Sequence, residues 1–286
     1  MNWFIAPFAD NEFMLRALEA GILVAAVCAM AGTFVVLRGM AFIGDALAHG
    51  VLPGVAGAIL LGVPATLGAA VGAGVMIFGV TLITKRSRLS SDTAIGLLFV
   101  GMLALGVVMV SRSDSFTGDI VTILFGDVLG LSTGALLLQL CATVGVALVI
   151  GVCARPFLLL CFDAEQADAA GFPSHRYHML LMVVVAATVI ASFQTVGTLL
   201  VFGMLLAPAS AGALIARRVG AMMAWAAALG AMSVYVGLLI SYHWDLAASA
   251  AIVLAAVVLF FIVFVVQSAR QGWRGRAGTR PAEVVT

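Results

Sequence analysis

The chain has 286 residues, of which 64% are apolar and only 9% charged, and a formal net charge of +1. A soluble domain carries about 45–50% apolar and about 25% charged residues, so this composition excludes one and describes a polytopic membrane protein. With near-neutral charge and Lys85 as its single lysine, the chain offers no basic surface to nucleic acid.

A membrane-crossing helix needs about 20 mostly apolar residues. Residues 1–16 place Trp3, Phe4, Phe8 and Phe13 among polar residues and predict an interfacial helix. Asp10 and Glu12 precede the first apolar run, which argues against a signal peptide. Breaks at charges and at Gly, Pro and Ser clusters then predict nine spans, over 17–37, 40–62, 64–84, 93–111, 132–152, 177–194, 196–215, 220–241 and 247–268. Residues 17–268 form the transmembrane domain in this reading, and 269–286 a basic, unstructured tail. With the N-terminus outside and the C-terminus cytoplasmic, twelve of the fourteen Lys and Arg residues fall on the cytoplasmic side.

Between the first two spans runs Arg38 to Gly54, RGMAFIGDALAHGVLPG. Asp45 and His49 stand four residues apart and share a helix face. A charge at membrane depth costs about 2.5–3.5 kcal/mol on insertion scales, so such a pair faces a polar interior, does chemistry or satisfies itself as a buried ion pair. Carboxylate and imidazole together suit zinc, manganese or iron. Pro53 deprives the His49 carbonyl of its helical donor and is expected to kink the helix beside the pair.

Three further stretches stand out. The outer segment 111–132 carries Asp114, Asp119 and Asp127, which suit a cation entrance, although each taken singly reads first as a helix cap or a solvated loop residue. The connection 153–176 contains FDAEQADAAGFP, a short acidic helix signal ending at Gly171 and Pro173. Between the last two spans, His243 and Asp245 form a possible external ligand pair, although Tyr242 and Trp244 beside them read as an interfacial belt. Cys28, Cys141, Cys153 and Cys161 lack C-x-x-C spacing and predict neither disulfide nor zinc knot. No G-x-x-x-x-G-K-[ST] and no H-E-x-x-H occurs, so neither ATP binding by a P-loop nor metalloprotease chemistry is expected, and the chain is not read as an enzyme.

The pattern G-D-A-x-x-H-x-x-x-P-G, filled by Gly44, Asp45, Ala46, His49, Pro53 and Gly54, resembles the permeases of ABC importers for zinc, manganese and ferrous iron. The run from Thr195 to Ala211, TVGTLLVFGMLLAPASA, is similar to a later helix of that family, with Gly197 leading and Pro208 late. The resemblance implies a vitamin-B12-importer-like permease fold and a homodimer in the cytoplasmic membrane of a prokaryote. It also implies two copies of a cytoplasmic ABC ATPase and an extracytoplasmic metal-binding protein. The metal would be cargo and not a resident cofactor. Phe162, Asp163, Glu165, Ala167 and Gly171 match the family's coupling helix, which docks on the ATPase, and Asp45 with His49 would line the path. Two rivals stay open: an autonomous proton-coupled metal carrier, and an ABC permease for an iron chelate or cobalamin.

Overall fold

Apolar runs separated by glycine, proline and charge become helices joined by short turns in the computed structural model, which describes residues 7–8, 11–111 and 132–278. The helices are α1 (Glu12–Leu37), α2 (Ile43–Leu60), α3 (Ala65–Arg86), α4 (Ser91–Val110) and α5 (Thr133–Val152), then the short α6 (Ala154–Phe162) and α7 (Ala164–Ala169). They continue with α8 (Ser174–Val196), α9 (Thr198–Ile215), α10 (Val219–Trp244) and α11 (Ala248–Gly278). Among the described residues, nine helices are long and apolar enough to cross a membrane, the number expected from sequence.

Some boundaries differ from expectation. Helix α1 begins at Glu12, so the end of the expected interfacial segment is the first turn of the first span. No glycine or proline separates residues 12 and 17, and Arg16 Nη2 pairs with Glu12 Oε1 one turn back. Helix α11 passes the expected limit at 268 and runs to Gly278, because the first proline that could stop it is Pro281. Helix α6 was not anticipated: ARPFLLLCF buries Pro156, Phe157 and Leu160.

Helix α1 is the hub, with α5, α6, α8, α9 and α10 packed around it and 67% of its apolar window buried. Helices α4 and α5 lie on the rim, where the same measure falls to 22%. Helix α2 packs on α3, α4, α8 and α9. Close approach is achieved with small residues, as in membrane bundles generally. A Cβ on Gly32 of α1 would collide with the Leu205 carbonyl oxygen of α9, and Leu205 also lies over Gly44 of α2. The two runs singled out in the sequence therefore meet at Leu205.

The ends of α1 and α3 and the start of α8 gather on one side, here termed the basic end. Lys85 Nζ sits 2.8 Å from His175 Nε2, and Phe157 bridges Phe34 of α1 and Tyr177 of α8 by edge-on ring contacts. Away from this end, α8 and α9 join through Gly197 alone. Its φ of 81° is open to glycine and strained for any other residue.

Candidate functional site

The site is built from the first two turns of α2. Asp45 is the third residue of the helix, and the helical period brings His49 onto the same face. His49 Nε2 lies 3.4 Å from Asp45 Oδ1, with the side chains 20% and 31% exposed respectively. The His49 ring packs edge-on against Phe99 of α4, centroids 5.4 Å apart, and its buried Nδ1 has no hydrogen-bond partner among the described residues. At about 1.5 Å per residue, the pair sits within about 10 Å of the start of α2, at the basic end and not midway through the span. Four residues on, Pro53 is buried inside the helix with Gly106 of α4 against its ring.

Asp45 opens onto a cavity of about 470 Å3 between the first turns of α2 and α4, whose walls include Phe42, Ser90, Asp92, Thr93 and Phe99. The sequence reading missed the polar residues from α4. Ser90-Ser91-Asp92-Thr93 reads as an ordinary helix start, and Ser90 does cap α4 by accepting from Thr93 N–H. The available signal was an acid in the first turn of a span, directly after a basic loop.

Among the described residues, no three His, Cys, Asp or Glu side chains are grouped to hold one ion. Asp45 and His49 thus offer two ligands, too few for a tight tetrahedral site within one chain. The arrangement is chemically a weak, polar station in an apolar wall.

The residues expected in a coupling helix also lie at the basic end. Asp163 caps α7, its Oδ1 accepting from Glu165 N–H at 2.8 Å and Gln166 N–H at 3.2 Å. Phe162 is 76% exposed and Glu165 is exposed, whereas Ala167 is buried, so α7 turns one small face inward and the rest outward. Gly171, with φ 85°, ends the segment in a conformation suited to glycine. Asp168 clasps the start of α8, accepting from Ser174 N–H at 2.6 Å and Ser174 Oγ–H at 2.8 Å. These bonds hold its carboxyl below the usual carboxylate range.

Burial lowers the Arg38 pKa, partly offset by Cys161 nearby, and Arg38 Nη1 has no partner among the described residues. Burial pushes the Cys161 thiol up to about 11 against the opposing pull of Arg38. Cys28, Cys141, Cys153 and Cys161 are free thiols in the structure, with Cys28 buried and Cys141 exposed.

Of the other expected positions, those among the described residues are not brought to Asp45 and His49. Pro208 is buried in α9, one turn beyond Leu205. His243 and Asp245 lie at the opposite end, where His243 Nδ1 donates to the Leu239 carbonyl at 2.9 Å. Asp245 ends α10 in the left-handed region and lines a separate cavity of about 630 Å3 with Phe13, Met14 and Tyr242. Asp114, Asp119 and Asp127 lie outside the described residues.

Nine apolar helices among the described residues, one of them a buried hub, with an acid–imidazole pair on one face of α2, define a polytopic membrane permease. Residues 10–267 match the ABC 3 transport family, and the chain belongs to it. It is 36% identical to "Manganese transport system membrane protein MntC" of Halalkalibacterium halodurans over 281 residues, covering 96% of both chains. It is 37% identical to "Chelated iron transport system membrane protein YfeD" of Yersinia pestis over 257 residues, covering 90% of this chain and 86% of that one. Among solved structures it is similar to a chain of "PsaBC from Streptococcus pneumoniae in complex with Fab". The TM-score there is 0.81 at 35% identity, covering 91% of this chain and 94% of that one.

Proposed function

We propose that this chain is the membrane permease subunit of an ATP-driven importer for a divalent transition metal, with Asp45 and His49 lining the path. The observation that carries the reading is the pair itself, side by side on one face of α2, with Asp45 opening onto a cavity whose walls include Ser90, Asp92 and Thr93. Intramembrane ionisable residues of this kind line ion pathways by default. Two ligands suit transit, since conduction needs a site strong enough to admit the ion and weak enough to release it. A second copy of the chain completes the coordination across a two-fold axis.

Manganese is the favoured cargo, with ferrous iron and zinc behind it. The relatives named above are described as manganese and chelated-iron transport proteins. Oxygen donors with a single imidazole, and no thiolate, favour harder divalent ions. The path lies in the cytoplasmic membrane, with the basic end facing the cytoplasm. There α7, with Phe162, Asp163, Glu165, Ala167 and Gly171, docks on one of two ATPase subunits, and an extracytoplasmic binding protein delivers the metal to the other face.

The test is metal content in cells lacking their own uptake systems. These cells express the chain with its ATPase and binding protein, as wild type, Asp45→Ala and His49→Ala. Accumulation of manganese that both substitutions abolish at equal protein levels supports the reading. Equal accumulation in all three makes the pair structural; no accumulation of any metal favours a chelate permease or an autonomous carrier.

A further inference from the structure

Asp45 does not face its cavity alone. The α4 wall of the same space presents Ser90, Asp92 and Thr93. The two hydroxyls are committed, lying 2.8 Å apart, with Ser90 Oγ also accepting from Thr93 N–H. Asp92 is exposed, and its carboxylate makes no hydrogen bond or ion pair among the described residues. The cap of α4 is therefore complete without it.

The surroundings give this carboxylate a task. The last turn of α3 carries Lys85 and Arg86 and the connection to α4 carries Arg88, and Asp92 is the nearest acid to them in sequence. A divalent cation leaving Asp45 toward the basic end must pass this positive loop. Its repulsion is a barrier that a carboxylate on the cavity wall lowers. Conduction through weak sites also requires a neighbouring site to accept the ion, so that neither holds it long.

We infer that Asp92 is the outlet residue of the path, receiving the metal from Asp45 and His49 in the cavity between α2 and α4 and releasing it past the basic loop. This rests on the reading of Asp45 and His49 as a transit site. The two assignments are nonetheless separable, because a transit residue governs whether any ion passes, whereas an outlet residue governs how fast it leaves.

The experiment is manganese uptake by the permease, its ATPase and its binding protein in liposomes, measured against external manganese concentration. Asp92→Asn is expected to lower the maximal rate about tenfold while half-saturating manganese stays unchanged, in line with losses seen for residues that support metal ligands. Asp92→Glu is expected to recover most of the rate. Asp92→Ser suits a helix first turn and controls for folding; a matching loss at unaltered melting temperature places the effect on the ion path. Wild-type maximal rates in a folded Asp92→Asn or Asp92→Ser complex overturn the assignment. Asp45→Asn, run in parallel, separates the two ideas: wild-type uptake there removes the transit reading itself, whatever Asp92 does.

Discussion

Gly54 of α2 and Gly68 of α3 are reciprocal: a Cβ on either would collide with the carbonyl oxygen of the other. One turn away, a Cβ on Gly72 would come within 2.8 Å of the Gly50 carbonyl oxygen. The two helices meet backbone to backbone through a Gly-x-x-x-Gly pair on each side. This contact anchors α2, and with it Asp45 and His49, against α3.

Substitution here moves backbone and not merely a flexible side chain. Gly54→Ala is expected to destabilise the protein by about 3 kcal/mol, the upper part of the range for overpacking, and Gly54→Leu to abolish folding. Thermal unfolding of the detergent-solubilised protein checks this. An unchanged midpoint for Gly54→Ala would show that α2 and α3 can separate freely.

Gln139 of α5 is fully buried; its Nε2 donates to Ser192 Oγ of α8 at 3.3 Å, and its Oε1 has no partner among the described residues. An interhelical hydrogen bond within a membrane contributes about 0.6 kcal/mol on average, and an unmet buried acceptor costs at least that. Gln139→Leu is therefore expected to leave the unfolding midpoint unchanged or raise it. A fall equivalent to 2 kcal/mol or about that would reveal a partner for Oε1, such as a buried water.

The Asp168 clasp on Ser174 makes the corner between α7 and α8 sensitive to acid. Its carboxyl is held below the ordinary carboxylate range by the bonds from Ser174, so its contribution is present at neutral pH and is lost as pH falls through the lowered pKa. Amide exchange at Ser174 is expected to stay slow from pH 7 to pH 5 after correction for intrinsic rates, and to accelerate below about pH 4. In Asp168→Asn the protection should weaken and lose this pH dependence.

Cys161 should be a poor nucleophile despite its partial exposure. With its thiol pushed from 9.0 to about 11, its thiolate fraction at pH 7.5 is about a hundredfold below that of an ordinary cysteine. Alkylation by iodoacetamide, followed by peptide mass spectrometry, should proceed correspondingly slowly. Arg38→Ala should slow it further by removing the nearby cation, and an ordinary rate in the wild type would mean that the thiol is not desolvated.

Much of this architecture is legible in the sequence because membrane insertion demands uninterrupted apolar length. Nine runs and their breaks follow from that demand. Asp45 and His49 stand out because charge in such a run is costly. Asp92 does not stand out, since an acid in a helix's first turn is favoured by the helix dipole and reads as a cap. Helix α6 escaped for a related reason: Arg155 and Pro156 look like loop residues until Phe157 is seen wedged between Phe34 and Tyr177. The acidic helix α7 is visible in the sequence from its acidic run and its closing Gly171 and Pro173, but the Asp163 cap and the Ser174 clasp required the fold.

Gly197 sets the leverage of the bundle. Two crossings that share one residue have a common pivot, so their ends on that side stay nearly fixed while their far ends can swing. Helix α8 has 23 residues and is about 35 Å long, so a tilt of about 10° at the pivot displaces its opposite end by about 6 Å. That end begins at Ser174, held by Asp168 and thus joined to α7. By this geometry, a tilt of α8 about Gly197 would displace Ser174, and α7 with it, far more than the turn at Gly197 itself.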